Sequence, residues 1–563
     1  MANLTTSIDV DLPTPAAADG LHRKITWTGA FWIAAGVPAL VLFSIGPIGA
    51  TVGGPAWAVW MVSILFGFIQ AFSYAEIAGM FPNKSGGASV YGAIAWVRYG
   101  KLFAPLSVWC NWIAWSPVLS IGSGLAASYI LTTLFGPDAA INSWQLTLAD
   151  LSFIKDGLAL RLNATFLVGA AILLLAFMVQ HRGISGTAKV QIILAVVALL
   201  PLILIGVVPL LTGAVHPANL GPLTPLAKDA AGTVIPGQWN MSGITLIAGG
   251  LFIAAWSTYA FETAVCYTRE FRDPKTDTYK AILYSGLLCI FVFTIVPLSF
   301  QGVLGLGKVV TPAVLDSAGA VTTPAEYDGI LASDIYSGSG VGKAMAHMLN
   351  LGGGLERVIV VMLVLALMLA IITSMAGSSR TLYQASVDGW LPKYLSKTNH
   401  NGAPTNAMWT DLAFNLVLLL MSDYVFVLAI SNVCYIIFNF LNLNAAWIHR
   451  KDRPDWERPF RAPNALIIGG TALSFINLFL MGMGADIVGK GALTTGVITT
   501  MLVVPVFLFR HYVTDKGVFP DSMVEDLHLK PAEMGRKSAG ILPYLTLAGG
   551  VATVLVARHL AVY

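Results

Sequence analysis

Long apolar segments joined by short polar connections run along most of this chain. A helix needs roughly 20 apolar residues to cross a hydrocarbon core about 30 Å thick. The pattern therefore predicts membrane-spanning helices near residues 27–50, 55–80, 103–134, 164–180, 190–211, 244–266, 281–301, 357–379, 408–421, 425–447, 465–483, 495–509 and 541–557. The last segment is short and follows a polar stretch, so the pattern leaves open whether there are twelve or thirteen spans.

Polar residues interrupt the sixth of these spans, 244–266. Trp256, Ser257, Tyr259 and Glu262 lie within seven positions of one another. By residue count they fall near mid-membrane, where an ionised carboxylate costs at least about 2.5–3.5 kcal/mol. One interpretation is a helix end displaced to the membrane interface. We favour a broken helix that lines a binding site, because the first span is interrupted as well.

The first span carries Gly36 and Pro38 at its centre. Pro38 has no N–H, so the carbonyl of Ala34 loses its helical partner, and Gly36 permits non-helical backbone. Unwound backbone inside a membrane is tolerated only against protein or a water-lined cavity. For this segment alone, a proline kink that binds nothing is the alternative interpretation.

The two interruptions lie five spans apart, as expected for inverted five-helix repeats that enclose a site at the membrane midplane. Opposed half-helices present free N–H groups to an anion and free carbonyls to a cation, so a zwitterion fits between them. We expect the amides of Val37, Ala39 and Leu40 to bind its carboxylate. Carbonyls near 255–257 are expected to bind its amine. The predicted solute-binding residues are Gly36, Val37, Pro38, Ala39 and Leu40 of the first span and Ala255, Trp256, Ser257, Tyr259 and Ala260 of the sixth.

Four sequence motifs resemble those of the amino acid–polyamine–organocation (APC) superfamily of permeases. They are SYAEIAGMFPNKSGGASVYGAIAWV from Ser73, AFETAVCYTREFRDPKTDTYKAI from Ala260, SSRTLYQASVDGWLPKYLSKTNHNGAPTNA from Ser378 and RPFRAP from Arg458. The resemblance implies a secondary transporter that moves an amino acid or related amine by alternating access, as a symporter or an exchanger. It also implies an all-α polytopic membrane protein with a five-plus-five inverted-repeat fold, broken first and sixth helices, and two or three C-terminal helices.

The expected repeats cover residues 25–212 and 213–450, and 451–563 holds the C-terminal spans. The chain departs from the family pattern at two places. The familiar glycine-rich break reads Gly36-Val37-Pro38-Ala39 here, so bulkier side chains crowd the backbone that would meet a carboxylate. Ala198 occupies the position of the lysine that many proton-coupled relatives carry in the fifth span, which leaves sodium, another protonatable group or solute exchange as the expected coupling.

Three carboxylates are candidates for coupling or gating. Glu262 follows the sixth-span break, where it either stabilises a helix end or binds solute or a proton. Glu76 and Glu270 lie near the cytoplasmic ends of their helices and are expected to form ion pairs or gates. A cation site is a further hypothesis, with the carbonyl of Ala34 and the hydroxyls of Thr373 and Ser374 as oxygen ligands; such hydroxyls also bond their own helix backbone.

Polar residues of two other spans have simpler expected roles. Asn111, Trp115 and Ser116 share one helical face of the third span and are expected to form a wall of the solute pocket. The asparagines of the tenth span are expected to form interhelical hydrogen bonds. They are Asn432, Asn439, Asn442 and Asn444.

Charge and composition narrow the functional classes. The chain is 56% hydrophobic and 11% charged with a formal net charge of +3, which argues against nucleic acid as a partner. Lys and Arg concentrate in alternate loops, an asymmetry that predicts a cytoplasmic N-terminus, with residues 1–24 as a disordered cytoplasmic tail. We expect a multi-pass protein of the plasma membrane whose partners are a small solute and the lipid bilayer.

The sequence offers little support for other kinds of chemistry. Its four cysteines form no CxxC pair, and no HExxH motif, defensible Ser–His–Asp spacing or phosphate loop occurs. No cofactor or metal is therefore predicted, and neither an enzyme nor an ATP-driven pump is expected. A multispan membrane enzyme and a transporter-derived sensor are the alternatives; the first lacks convergent catalytic groups and the second lacks a soluble output domain.

Overall fold

A computed structural model describes residues 23, 25–136, 139–229, 232–315, 321–521, 523 and 538–563. Apart from Arg23, the predicted tail 1–24 lies outside these residues. Each of the thirteen predicted spans contains a helix. Spans 1 to 5 are Trp27–Ala34 with Val41–Val52 (span 1), Ala56–Gly79 (span 2), Phe103–Trp115 with Val118–Phe135 (span 3), Ala164–Gln180 (span 4) and Gly183–Leu211 (span 5). Spans 6 to 10 are Met241–Thr258 with Ala260–Glu270 (span 6), Pro274–Leu304 (span 7), Gly353–Val387 (span 8), Thr405–Leu419 (span 9) and Tyr424–Asp452 (span 10). The last three are Asn464–Val488 (span 11), Ala492–Met501 with Val503–Leu508 and Phe509–Thr514 (span 12), and Leu542–Leu560 (span 13).

The connections carry short helices and four small antiparallel hairpins. The hairpins pair Gln145–Asp150 with Ala159–Asn163, Leu226–Lys228 with Val234–Pro236, Val309–Thr311 with Glu326–Tyr327, and Val314–Leu315 with Val321–Thr323. The other short helices are Ala88–Trp96, Ala140–Ser143, Pro217–Leu220, Gly329–Leu331, Ser333–Tyr336, Val341–His347 and Lys393–Ser396. Within the described residues, ten helical segments are long and apolar enough to cross a membrane. The predicted all-α polytopic fold is confirmed.

Helix packing has the reciprocity that two inverted repeats produce. Spans 1, 2, 3 and 4 pack against spans 6, 7, 8 and 9 respectively, so each of the four contacts its counterpart in the other repeat. Span 5 packs against spans 7 and 8, and span 10 correspondingly packs against spans 2 and 3. The solute site predicted at the breaks of spans 1 and 6 therefore lies on the contact between the repeats.

Span 13 runs parallel to span 11 and packs against it along most of its length. Before its first turn, the N–H of Ala539 donates to Asp452 at the end of span 10 (2.9 Å). Near its last turn, Arg558 pairs with Asp486 at the far end of span 11 (2.9 Å). Because the two ends of this helix contact opposite ends of the bundle, the structure favours thirteen spans over twelve.

Both predicted helix breaks are present, but their backbone is tightened rather than extended. Span 1 changes at Val37–Leu40 to a 3₁₀ turn, and span 6 continues as a 3₁₀ helix over Ala260–Glu270. The N–H of Ala39 donates to Gly36 (3.2 Å), and that of Glu262 donates to Tyr259 (3.3 Å). These shorter i→i+3 bonds satisfy groups that a fully unwound segment would leave bare, which is the physical reason for the difference.

Candidate functional site

The breaks of spans 1 and 6 meet in the interior of the bundle. Ser257 donates its hydroxyl proton to the carbonyl of Leu40 (3.2 Å) and shares a second hydrogen bond with Ser44 (2.6 Å). The rings of Phe43 and Trp256 lie 5.7 Å apart beside this contact. A polar side chain of one broken helix thus donates a hydrogen bond to a backbone carbonyl of the other, as expected where two broken helices meet.

All ten predicted solute-binding residues are buried at or beside these breaks. Two of the backbone groups expected to meet solute are engaged locally in this structure. The Ala39 amide bonds to Gly36, and the Ala255 carbonyl accepts the N–H of Tyr259 (3.1 Å). Direct binding through the Ala39 amide would therefore require its 3₁₀ bond to open, whereas the Ala255 carbonyl has a second lone pair that can accept another bond.

Gly36 contacts span 8 rather than span 6. A Cβ at this position would lie 2.5 Å from the Thr373 hydroxyl oxygen and 2.8 Å from the Leu369 carbonyl oxygen. The hydroxyl of Thr373 in turn donates to the carbonyl of Ile33 (2.5 Å), at the end of the first half-helix. Glycine at 36 thus allows spans 1 and 8 to approach closely.

The hypothetical cation site is divided in this structure. Thr373 lies against the span 1 break, one residue from the predicted Ala34 carbonyl. Ser374 instead donates to the carbonyl of Trp115 in span 3 (2.6 Å). Among the described residues, no group of three or more His, Cys, Asp or Glu side chains could hold a metal ion.

Glu262 is a buried carboxylate with an incomplete set of hydrogen bonds. Its Oε1 accepts the indole N–H of Trp115 (3.3 Å), whereas Oε2 has no partner among the described residues. The ring of Tyr435 lies 6.2 Å from that of Trp115 and 6.3 Å from that of Tyr259, and the Tyr435 hydroxyl interacts with the Glu262 carboxylate without reaching ordinary hydrogen-bond geometry. A carboxylate next to aromatic rings is chemically suited to bind an ammonium group.

Hydrogen bonds connect the span 6 break to spans 2, 10 and 11. Tyr259 donates to Asn477 (3.0 Å), Asn477 donates to Asn439 (3.0 Å), and Asn439 donates to Gln70 and to the Tyr74 hydroxyl (both 2.7 Å). Interhelical bonding by the span 10 asparagines is confirmed. Span 11, although outside the two repeats, thus helps to hold the break of span 6.

Span 3 contains a third interruption, at Ser116 and Pro117, which the prediction of one continuous helix missed. The Ala114 carbonyl accepts bonds from Trp256 (3.2 Å) and Ser431 (2.9 Å) of other spans. Pro117 is visible in the sequence and was the available signal. Of the three span 3 residues expected to form the pocket wall, only Trp115 contacts Glu262.

Asn111 and Ser116 face other spans. The Asn111 amide oxygen accepts a bond from Thr381 in span 8 (2.9 Å), and Ser116 donates to Asp411 in span 9 (2.5 Å). Their helical face meets polar residues of spans 8 and 9 in this structure. A role for these two residues in the solute-pocket wall stays a prediction.

Buried ion pairs close the Lys- and Arg-rich end of the bundle. Glu76 accepts bonds from Arg450 (2.8 Å) and lies 3.3 Å from Arg458. Glu270 forms a bidentate pair with Arg380, whose Nη2 lies 3.3 Å from Oε2. The expected ion pairing of both glutamates is confirmed. A further pair, Lys84 with Asp388 (2.6 Å), was missed because 304 residues separate its partners along the chain.

A polytopic helical bundle whose two broken helices meet at buried polar groups has the architecture of a membrane transporter. The family model described as "Amino acid permease" matches residues 25–508, and the chain belongs to this family. The match confirms the resemblance to APC permeases.

Curated relatives of similar sequence are also permeases and transporters by name. A branched-chain amino acid permease of Lactococcus lactis is 22% identical over 84% of this chain and 92% of its own length. A branched-chain amino acid permease of Bacillus subtilis is 23% identical over 83% and 90%, and the polyamine transporter PUT1 of Oryza sativa is 23% identical over 87% and 79%. These relatives are permeases and transporters, and the chain is accordingly a transporter rather than an enzyme.

Proposed function

We propose that this protein is a secondary active transporter that moves an amino acid or a related organic amine across the plasma membrane by alternating access. The observation that carries the proposal is Glu262, whose buried carboxylate lies beside the break of span 6 and has one oxygen without a well-formed hydrogen bond among the described residues. The names of the relatives, branched-chain amino acid permease and polyamine transporter, support solutes that have an amine in common.

The proposed solute lies between the breaks of spans 1 and 6. Its ammonium group binds Glu262 and the carbonyls near 255–257, beside the rings of Trp115 and Tyr435. A solute carboxylate, where there is one, binds the backbone N–H groups of Val37, Ala39 and Leu40 after the local 3₁₀ bonds open. An amine without a carboxylate needs only the first set of contacts.

Alternating access requires the Lys- and Arg-rich end to open. Buried ion pairs hold this end closed in the structure, so the proposed cycle includes separation of Glu270 from Arg380 and of Lys84 from Asp388. We place this end in the cytoplasm, together with the N-terminus, because Lys and Arg favour the cytoplasmic loops. Either a sodium ion near Thr373 or a proton is the proposed coupling ion.

Purified full-length protein in sealed vesicles tests this function. Radiolabelled L-leucine and putrescine represent the two solute classes, and we expect at least one to accumulate or exchange and to be recovered chemically unchanged. Imposed sodium and pH gradients then identify the coupling ion. Failure of a broad amino acid and amine panel would refute the proposed solute class, and chemical conversion of the solute would favour a membrane enzyme.

A further inference from the structure

Asp411 is a second fully buried carboxylate, in span 9, which the proposed transport mechanism has not used. Its Oδ1 accepts the indole N–H of Trp112 (2.9 Å) and the hydroxyl of Ser116 (2.5 Å), both from span 3. Its Oδ2 bonds to the hydroxyl of Ser378 in span 8 (2.5 Å). Among the described residues, Asp411 forms no ion pair, so no cation neutralises a charge on it there.

The hydrogen bonds around Oδ1 have fixed directions. The backbone N–H of Ser120 donates to the side-chain oxygen of Asn415 (3.1 Å), which identifies the other atom of that amide as the NH₂ group. This NH₂ donates to the Ser116 hydroxyl oxygen (2.7 Å), so the only proton of Ser116 points to Asp411. With the Trp112 indole also a pure donor, Oδ1 accepts two bonds and has no place for a proton.

The Ser378 hydroxyl, which bonds to Oδ2, can adopt two orientations. Ser378 can donate to Oδ2, or it can turn its proton towards the carbonyl of Met375, 3.4 Å away. In the second arrangement Ser378 accepts a bond from a proton carried by Oδ2. Asp411 can therefore be ionised or protonated without leaving the Ser378 hydroxyl or either carboxyl oxygen unpartnered, which is uncommon for a buried carboxylate.

Most other titratable groups of the packed elements have partners of their own. In span 8, Arg380 is paired with Glu270. In the turn after span 8, Lys393 pairs with Asp515, and Tyr394 bonds to Thr410. Span 8 also contains Arg357, Glu356, which pairs with His347, and Tyr383, which interacts with Arg269. Span 3 contains Tyr129, whose hydroxyl faces the Gly342 backbone, and Cys110, which lies 3.6 Å from Thr500. Span 4 contributes none.

Asp411 lies on a polar seam between spans 3 and 8 that leads to the solute site. One turn towards the solute site, Ser374 donates to the carbonyl of Trp115, whose indole N–H donates to Glu262. One turn towards the Lys- and Arg-rich end, Thr381 donates to Asn111. A change of charge at Asp411 thus acts on the same segment of span 3 whose Trp115 hydrogen-bonds to Glu262.

From this geometry we propose that Asp411 binds a proton during the transport cycle and couples solute movement to a pH gradient. The inference rests on the proposed transport function and adds the site of coupling. The proton binds at Oδ2, Ser378 turns to the Met375 carbonyl, and the negative charge in span 9 disappears. Release of the proton restores the original bonds, so no other reactant is required.

The variant Asp411→Asn tests the proposal because an amide reproduces the bonds of the protonated acid. Its oxygen accepts from Trp112 and Ser116, and its NH₂ donates to Ser378. Full-length protein in vesicles is assayed with L-leucine and putrescine in two modes, counterflow at equal pH and uptake driven by a pH gradient. We expect the variant to retain counterflow and to lose stimulation by the gradient. Asp150→Asn, an exposed carboxylate in the hairpin before span 4, should retain both.

A solute-independent measurement complements transport. Infrared difference spectra of the wild type across a pH titration should contain the C=O band of a protonated carboxyl group, and this band should be absent from Asp411→Asn and present in Asp150→Asn. The inference is overturned if Asp411→Asn still responds to the pH gradient, or if it loses counterflow together with gradient-driven uptake. It is also overturned if the infrared band of Asp411→Asn is the same as that of the wild type. Wild-type transport without any pH dependence would overturn this inference but leave the proposed function intact. A wild-type protein that shows the band but moves neither solute would count against the proposed function but not against proton binding at Asp411.

Discussion

At the scale of single residues, Glu262 combines burial with incomplete hydrogen bonding, which supports its proposed role as a binding group. Its Oε1 has one long bond to Trp115 and its Oε2 has none among the described residues. Native proteins rarely leave a buried carboxylate oxygen unpartnered, because the desolvation cost is not recovered. An ammonium group of the solute would supply the missing partner.

Replacing Glu262 by Gln should impair transport far more than membrane insertion. The amide keeps the bond from Trp115 but removes the charge, and a hydrogen bond to a charged group contributes about 1.5–3 kcal/mol. We therefore expect solute affinity to fall roughly ten- to a hundredfold, measured by the concentration dependence of uptake. Glu457→Gln, which alters an exposed ion pair with Lys275, is the matched control. Normal uptake by Glu262→Gln would exclude this carboxylate as the amine-binding group.

Gly36→Ala should destabilise the protein through one added methyl group. The new Cβ would overlap Thr373 and the Leu369 carbonyl, and overpacking of this kind costs about 1–3 kcal/mol. Thermal unfolding of the purified protein measures the effect. Gly354→Ala, in the first turn of span 8 with nothing within 4 Å of its added Cβ, should unfold at or above the wild-type temperature. Equal stability of the two variants would show that spans 1 and 8 do not pack this closely.

At the scale of helices, the two breaks are 3₁₀ segments: a short turn inside span 1 and a longer stretch that forms the second part of span 6. Pro38 prevents the α-helical bond to Ala34, and the tighter turn recovers part of the lost bonding. A segment of this kind can exchange between 3₁₀, α-helical and open forms at modest cost. This property suits a site that must bind and release a solute.

Pro38→Leu should reduce transport while membrane insertion remains normal. Leucine restores an N–H at position 38 and favours a regular helix through the break, which would bury the backbone groups proposed to meet solute. Uptake normalised to the amount of protein in the vesicles measures the loss. Wild-type uptake would show that the span 1 break is a kink without a binding role.

At the scale of the whole molecule, buried ion pairs connect distant spans and close one end of the bundle. Glu270→Gln leaves the Arg380 charge buried without its partner, and such a loss costs about 3–5 kcal/mol. We expect a lower unfolding temperature for Glu270→Gln and a partial recovery in the double variant with Arg380→Gln. Lys275→Gln, from an exposed pair, should be close to wild type. A double variant no more stable than the single one would argue against a direct pair.

Span 13 determines on which side the chain ends. Since it extends along most of span 11, we expect an epitope tag after Tyr563 to lie on the side opposite an N-terminal tag. Antibody labelling of intact and permeabilised cells distinguishes the two sides. Labelling of both tags on the same side would mean twelve spans.

Much of the fold could be predicted from local patterns. Span positions follow from runs of apolar residues, and the two breaks follow from Pro38 and from the polar residues before Glu262. The third break was missed, although Pro117 is a similar signal, because span 3 was assigned as one apolar segment. The form of the breaks was also missed, since whether a weakened turn opens or tightens depends on the partners around it.

The sequence by itself determined that this chain crosses a membrane many times, that spans 1 and 6 are interrupted, and that the chain resembles APC permeases. These conclusions depend on hydrophobicity, proline geometry and motifs, which are local. Only the tertiary structure decided which distant groups meet: Glu262 with Trp115, Lys84 with Asp388, and Asp411 with Ser116 and Ser378. Partners of this kind are separated by about a hundred residues or more in most cases, and their contacts are set by the packing of whole helices rather than by any pattern along the chain.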